Sequence, residues 1–230
     1  MGVHMPRRDR TDPFVDPSTE AMLAEHERIS ALYLYNSEIG EKRVSLYLTL
    51  ISVGTAVFLG LAQFGIDTAL VLWSAAAYLA MVSLVGTLTF QRLIERRVRS
   101  TQYLRAINRI HCYFVNRDPE LLQYYAWPAS DNVPSFLGHT GVLSGLRDVV
   151  ALLNSLSAGA MVAVAGVALG GSVHLVVDMG AAALIAAVVW FLQQDHEKKK
   201  LAQAEQAFER FVRFPRERET RSLDGLHLDC

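Results

Sequence analysis

Residues 44–90 read VSLYLTLISVGTAVFLGLAQFGIDTALVLWSAAAYLAMVSLVGTLTF, and this stretch decides the fold. Asp67 is its only formal charge and divides it into the uncharged runs 44–66 and 68–90. At about 1.5 Å per residue, each run is long enough as a helix to cross a hydrocarbon layer about 30 Å thick. A soluble helix of that length shows a polar face, and neither run has one. The pair therefore predicts a transmembrane helical hairpin turning at Gly65, Ile66 and Asp67. Further along, residues 149–171 and 173–192 repeat the pattern, with Gly170-Gly171-Ser172 supplying the turn.

The whole chain has 230 residues, 51% of them hydrophobic and 20% charged, with a net charge of −1. The charges gather in residues 7–43, 91–120 and 195–221, while the four apolar runs hold almost none, Asp178 being the exception, so two populations of residues face two solvents. The predicted fold class is all-α: a polytopic membrane protein of two transmembrane helical hairpins with cytoplasmic helical extensions. Its segments are a tail (1–16), an amphipathic helix (17–43), hairpin 1 (44–90), a helix and aromatic-rich linker (91–148), hairpin 2 (149–192), a helix (193–215) and a second tail (216–230).

Orientation follows from the basic residues. Lys42 and Arg43 precede the first span, Arg92, Arg96, Arg97 and Arg99 follow the second, and Lys198, Lys199 and Lys200 follow the fourth. The excess of Lys and Arg at these ends predicts that they and both termini are cytoplasmic, with these side chains contacting lipid headgroups rather than nucleic acid. Residues 1–20 lack the apolar core of a cleavable signal, so the first span is expected to act as its own targeting signal. The composition suits a bacterial inner membrane. Cys112, on the cytoplasmic side, is expected to be a thiol.

Outside the spans, Asp16-Pro17 with Glu20 opens a helix, and Met22, Ile29, Leu32, Tyr33, Asn36 and Ile39 keep a helical stripe that Gly40 does not break. The helix leaving the second span continues through Ile94, Val98, Leu104, Ile107, Ile110 and Phe114 to the stop at Asn116-Arg117-Asp118-Pro119. Leu201, Ala204, Phe208 and Phe211 extend the fourth span into a helix suited to coiled-coil or bundle packing.

Three groups of residues are candidate sites. His174 and Asp178 lie four apart near the outer end of the fourth span, a spacing that allows an intramembrane polar pair for a proton or ion path. Ser52, Ala56 and Gly60 in the first span, and Gly159, Ala163, Gly166 and Gly170 in the third, are small residues that let helices approach closely in lipid. Arg117, Asp118, Tyr124, Tyr125, Trp127, Asp131 and Phe136 mark the least helical segment as a contact site for a cytoplasmic protein, or else as an ordered cap between the hairpins.

Catalytic signatures are lacking. His26-Glu27 and His196-Glu197 are followed by Ser30 and Lys200 where a zincin needs its second histidine, and the Gly138-His139-Thr140-Gly141 run has no phosphate-loop ending. No metal, cofactor or catalytic residue is expected. Tyr113-Phe114-Val115-Asn116-Arg117-Asp118-Pro119, with Pro134-Ser135-Phe136, resembles the linker of uncharacterised bacterial four-span membrane proteins. The arrangement of hairpins extended by helices is similar to SLATT-type membrane effector modules, although a SLATT unit has two spans where this chain has four. That likeness implies a bacterial effector acting on the membrane in nucleotide-linked defence. The resulting expectation is a non-enzymatic, homo-oligomeric membrane module that forms a pore or relays a signal. The alternatives are a small transporter or proton-coupled channel using His174 and Asp178, and an enzyme acting on lipid headgroups.

Overall fold

A computed structural model describes residues 16–61, 63–64, 66–125, 129–138, 145–170 and 175–214. The described residues form four α-helices and one short 3-10 helix and contain no strand: α1 (Pro17–Leu61), α2 (Thr68–Arg117), the 3-10 turn (Pro119–Tyr124), α3 (Leu146–Gly170) and α4 (Leu175–Glu209). Each α-helix is long and apolar enough to cross a membrane. Three of them also continue well past their apolar segments. At 45 and 50 residues, α1 and α2 keep their helical hydrogen bonding into the charged sequence, because no proline intervenes before Pro119.

Local chemistry fixes the ends. Asp67 caps α2, its carboxylate accepting from Ala69 N. Asp118 both ends α2, where its N–H donates to Phe114 O, and starts the 3-10 turn by accepting from Glu120 N.

The helices pack mainly in chain order, α1 on α2, α2 on α3 and α3 on α4, with a smaller contact of α2 with α4, and among the described residues α1 and α4 do not meet. α3 is the central strut: 39% of its apolar window is buried against the other helices, compared with 6% for α4. Leu46, Val53, Leu59, Leu84, Leu184 and Phe191 remain exposed on the apolar segments, as expected where hydrocarbon is the solvent.

Successive contacts along α1 and α2 set their register. The Tyr78 ring covers Gly54, and its hydroxyl donates to Leu50 O. Gly54, rather than the Ser52/Ala56/Gly60 stripe, is therefore where α1 admits α2. Ser52 and Ala56 are exposed, and a Cβ at Gly60 would meet nothing within 4 Å. Toward the charged end, Tyr47 and Asn154 converge on Gly86, and Asn154 Nδ2 donates to Thr87 Oγ1 at 3.1 Å, joining α1, α2 and α3. Below this polar layer, Val44, Phe90, Ile94, Val150 and Ala151 close the core.

Candidate functional site

The charged half of the bundle is held by a ladder of buried ion pairs. Two of its rungs pair arginines of α2 with acids of α4. Arg97 and Arg105 are eight residues apart, as are Glu197 and Glu205. Equal spacing on two parallel helices brings both pairs into register: Arg97 Nη1 lies 3.1 Å from Glu197 Oε1, and Arg105 Nη2 lies 2.6 Å from Glu205 Oε1.

The segment 129–138 is bound into this ladder. Arg105 Nε donates to Pro134 O at 2.8 Å and Asn108 Nδ2 to Val133 O at 2.7 Å, while Phe136 N donates to Glu205 Oε2 at 2.7 Å. Phe136 is fully buried, with the Arg105 guanidinium 4.4 Å from its ring centroid and Phe208 beside it. The third rung, Asp131, is also fully buried. It accepts from Arg109 Nε at 2.9 Å and from the backbone N–H groups of Arg213 and Phe214 at 3.1 Å each. It thereby ties residues 213–214, just past the end of α4, to α2.

At the top of the ladder, Glu197 sits between Arg97 and Arg147, and Arg147 also pairs with Asp148 at 2.9 Å. Asp148 lies in the first turn of α3, where the helix dipole favours a carboxylate. Two cations and two anions thus balance in a site where the Glu197 side chain is 4% exposed. Burial raises the Glu197 carboxyl above its ordinary range against the pull of Arg147 and Arg97, and burial lowers the Arg97 guanidinium. Among the described residues, one oxygen of Glu197 has no hydrogen-bond partner, and neither do the amide atoms of Gln193 one turn earlier.

These positions correct several expectations. Arg97 is not a headgroup contact but an internal strut, because α4 presents Glu197 to it. Asp131 and Phe136 offer no surface to a partner, since the ladder encloses them. Of the other linker residues, Arg117 pairs with Asp16 at 2.7 Å, Asp118 caps the 3-10 turn, Tyr124 is exposed and Tyr125 stacks on His111. The Ser18 hydroxyl, and after it the Arg117 guanidinium, hold the Asp16 carboxyl down at about 2. Trp127 lies outside the described residues, as do His174 and Cys230. Cys112 is fully buried.

Lys42, Arg92 and Lys199 make exposed pairs with Glu38, Glu95 and Asp195, contacts worth little in water. Lys198 and Lys200 are exposed. Of the third-span glycines, Gly159 carries a close approach to α4 and Gly166 makes room for the Asp178 carboxylate, while Ala163 is half-buried and Gly170 exposed.

Sequence reasoning missed Arg105, Arg109, Arg147, Glu205 and Asn154. The matched eight-residue spacings were the available signal, but they pair only once α2 and α4 are known to run parallel.

Replacing Asp131 with Ala leaves Arg109 and two backbone N–H groups without their acceptor. The expected outcome is release of the 210–214 segment, read as tryptic cleavage at Arg210 and Arg213 that is faster by about tenfold. Cleavage at the wild-type rate would show that Asp131 does not hold that segment.

No protein family, curated protein or solved structure was found to match this chain, so the ladder must be understood from its own chemistry.

Proposed function

We propose that this protein is a non-enzymatic module of the bacterial inner membrane, with both termini and residues 91–148 in the cytoplasm. In this reading copies assemble, and the long helices carry a change in the cytoplasmic half into the bilayer, opening a pore or passing a signal from a cytoplasmic protein. One observation carries the reading: α1, α2 and α4 pass without a break from apolar to charged sequence, and buried ion pairs brace the charged half of α2 and α4 against the linker. Braced helices move as levers, so displacement at one end is felt at the other. The common location of Lys42, Arg43, Arg92, Arg99 and Lys198–Lys200 at one end supports the orientation. Among the described residues α1 and α4 do not meet, so the four helices close no ring of their own, which favours assembly of several copies. Native mass measurement in mild detergent, paired with dye release from liposomes, tests this; a monomer without dye release overturns it.

Asp178 supports a second reading, a proton-coupled channel or transporter. Its carboxylate lies over Gly166, where a Cβ would stand 2.6 Å from the carboxylate carbon, and one oxygen is buried without a hydrogen-bond partner among the described residues. Asp178→Asn is then expected to abolish proton flux in liposomes while leaving assembly intact. Equal flux in both proteins removes this reading.

A further inference from the structure

Between α1 and α2, where the apolar segments give way to charged sequence, lies a groove of about 320 Å³ whose lining includes Arg43, Arg92, Arg96, Arg99 and the acid Glu95, with Tyr35 and Tyr103 beside them. Four of the ten lining residues are arginines and one is an acid. Arg92 is matched by Glu95 at 3.1 Å. For Arg43, Arg96 and Arg99 no carboxylate stands within ion-pair distance among the described residues, so three positive charges share one groove uncompensated. Burial together with the neighbouring Arg43 and Arg99 charges lowers the Arg96 guanidinium below its ordinary value. Mutual repulsion of this kind is relieved by an anion.

The walls are fixed before any ligand arrives. Asn36 Nδ2 donates to Arg96 O at 3.2 Å and to Ser100 Oγ at 2.8 Å, and Arg96 Nη1 donates back to Asn36 O at 3.1 Å. Gly40 permits this approach, because a Cβ there would stand 2.9 Å from Arg96 Nη1. With that edge of the guanidinium used to clamp the two helices, its remaining N–H groups are available to the groove beside Arg43 and Arg99. Guanidinium groups bind phosphate oxygens through paired, charge-assisted hydrogen bonds, and tyrosine hydroxyls donate to the same oxygens. The volume lies at the small end of ligand sites, enough for a phosphorylated headgroup or small phosphoester.

We propose that this groove binds the phosphate oxyanion of a phosphoester at the membrane surface. The inference rests on the membrane topology proposed above and not on assembly or relay. Arg43 directly precedes the first apolar run, and Arg99 is nine residues beyond Phe90, about 13 Å at helical rise, so the groove covers the depth of the headgroup layer. The phosphate is therefore that of an anionic phospholipid or of a soluble phosphoester docking at the same depth.

The test uses the full chain in nanodiscs. Phosphatidylglycerol retention against phosphatidylcholine is read by native mass spectrometry, and inorganic pyrophosphate binding in phosphatidylcholine discs is read by calorimetry. Retention of phosphatidylglycerol that drops about tenfold in the Arg96→Gln/Arg99→Gln protein, without pyrophosphate binding, assigns the lipid. Pyrophosphate binding that drops by the same factor assigns the soluble ligand. Arg28→Gln, which removes an exposed guanidinium paired with Glu25, is expected to behave as wild type in both arms. Arg99→Gln alone changes an exposed side chain, so it keeps the test open if the double variant misfolds. Binding of neither probe, an unchanged double variant, or an equal loss in Arg28→Gln overturns the proposal. A chain that stays in solution without detergent overturns the topology instead.

Discussion

Arg105→Ala is expected to destabilise the protein by about 3 kcal/mol, read as a thermal midpoint lower by about 10 °C in detergent. Arg105 is 1% exposed and lies in the charged half of α2, bonded to Pro134 O, ion-paired to Glu205 and set against the Phe136 ring. Breaking a buried pair from one side costs about 3–5 kcal/mol because the remaining charge is stranded. The lower end applies here, since the Glu205 side chain is 19% exposed and can recover some water. Arg105→Met combined with Glu205→Leu removes both charges together and is expected to restore much of the loss. A double variant as unstable as Arg105→Ala would mean that the packing and backbone hydrogen bonds around Phe136, not the stranded charge, set the cost.

The same pair predicts a pH dependence. Burial raises the Glu205 carboxyl, but hydrogen bonds from Arg105, Phe136 N and Ser135 more than reverse this and leave it below its ordinary value of 4.5. A carboxyl depressed on folding contributes stability that is present above its unfolded value and disappears as pH falls through the folded one. The wild-type midpoint should therefore drop as pH is lowered below about 4.5, and Arg105→Ala should flatten that drop.

The four long helices were legible because an apolar run of about twenty residues or more with at most one charge has one physical reading, and the stop at Asp118-Pro119 because proline cannot continue a helix. The ladder was not, because its partners lie far apart in sequence. Arg97 and Glu197 each look like ordinary juxtamembrane charges until α2 and α4 stand side by side. The linker misled for a related reason: aromatic residues and acids in a non-helical stretch suit a partner surface as well as an interior strap, and only the burial of Asp131 and Phe136 separates the two. In the spans, small-residue spacing found Gly159 and Gly166 but passed over Gly54, whose role depends on Tyr78 arriving from α2.

Gly159→Leu is expected to have the largest effect within the apolar half. A Cβ at this position would stand 2.6 Å from Ala182 O and 3.1 Å from Ala186 Cβ, and the first of these is backbone that cannot swing aside. Even Gly159→Ala must push α3 and α4 apart, and leucine adds three more carbons to the same contact. Overpacking of this kind costs about 1–3 kcal/mol or more. Helix association in lipid depends on close van der Waals contact, so no hydrophobic gain offsets the separation. Arg147 and Glu197 join the same two helices about 18 Å further along, so the wedge should also loosen their ion pair. The measurement is the thermal midpoint of Gly159→Ala and Gly159→Leu beside Gly60→Leu, where a Cβ meets nothing within 4 Å among the described residues. A graded loss at position 159 with none at 60 follows from the close approach of α3 to α4. A loss of assembly at 60 without loss of monomer stability would instead show that the Ser52/Ala56/Gly60 face receives a second copy of the chain.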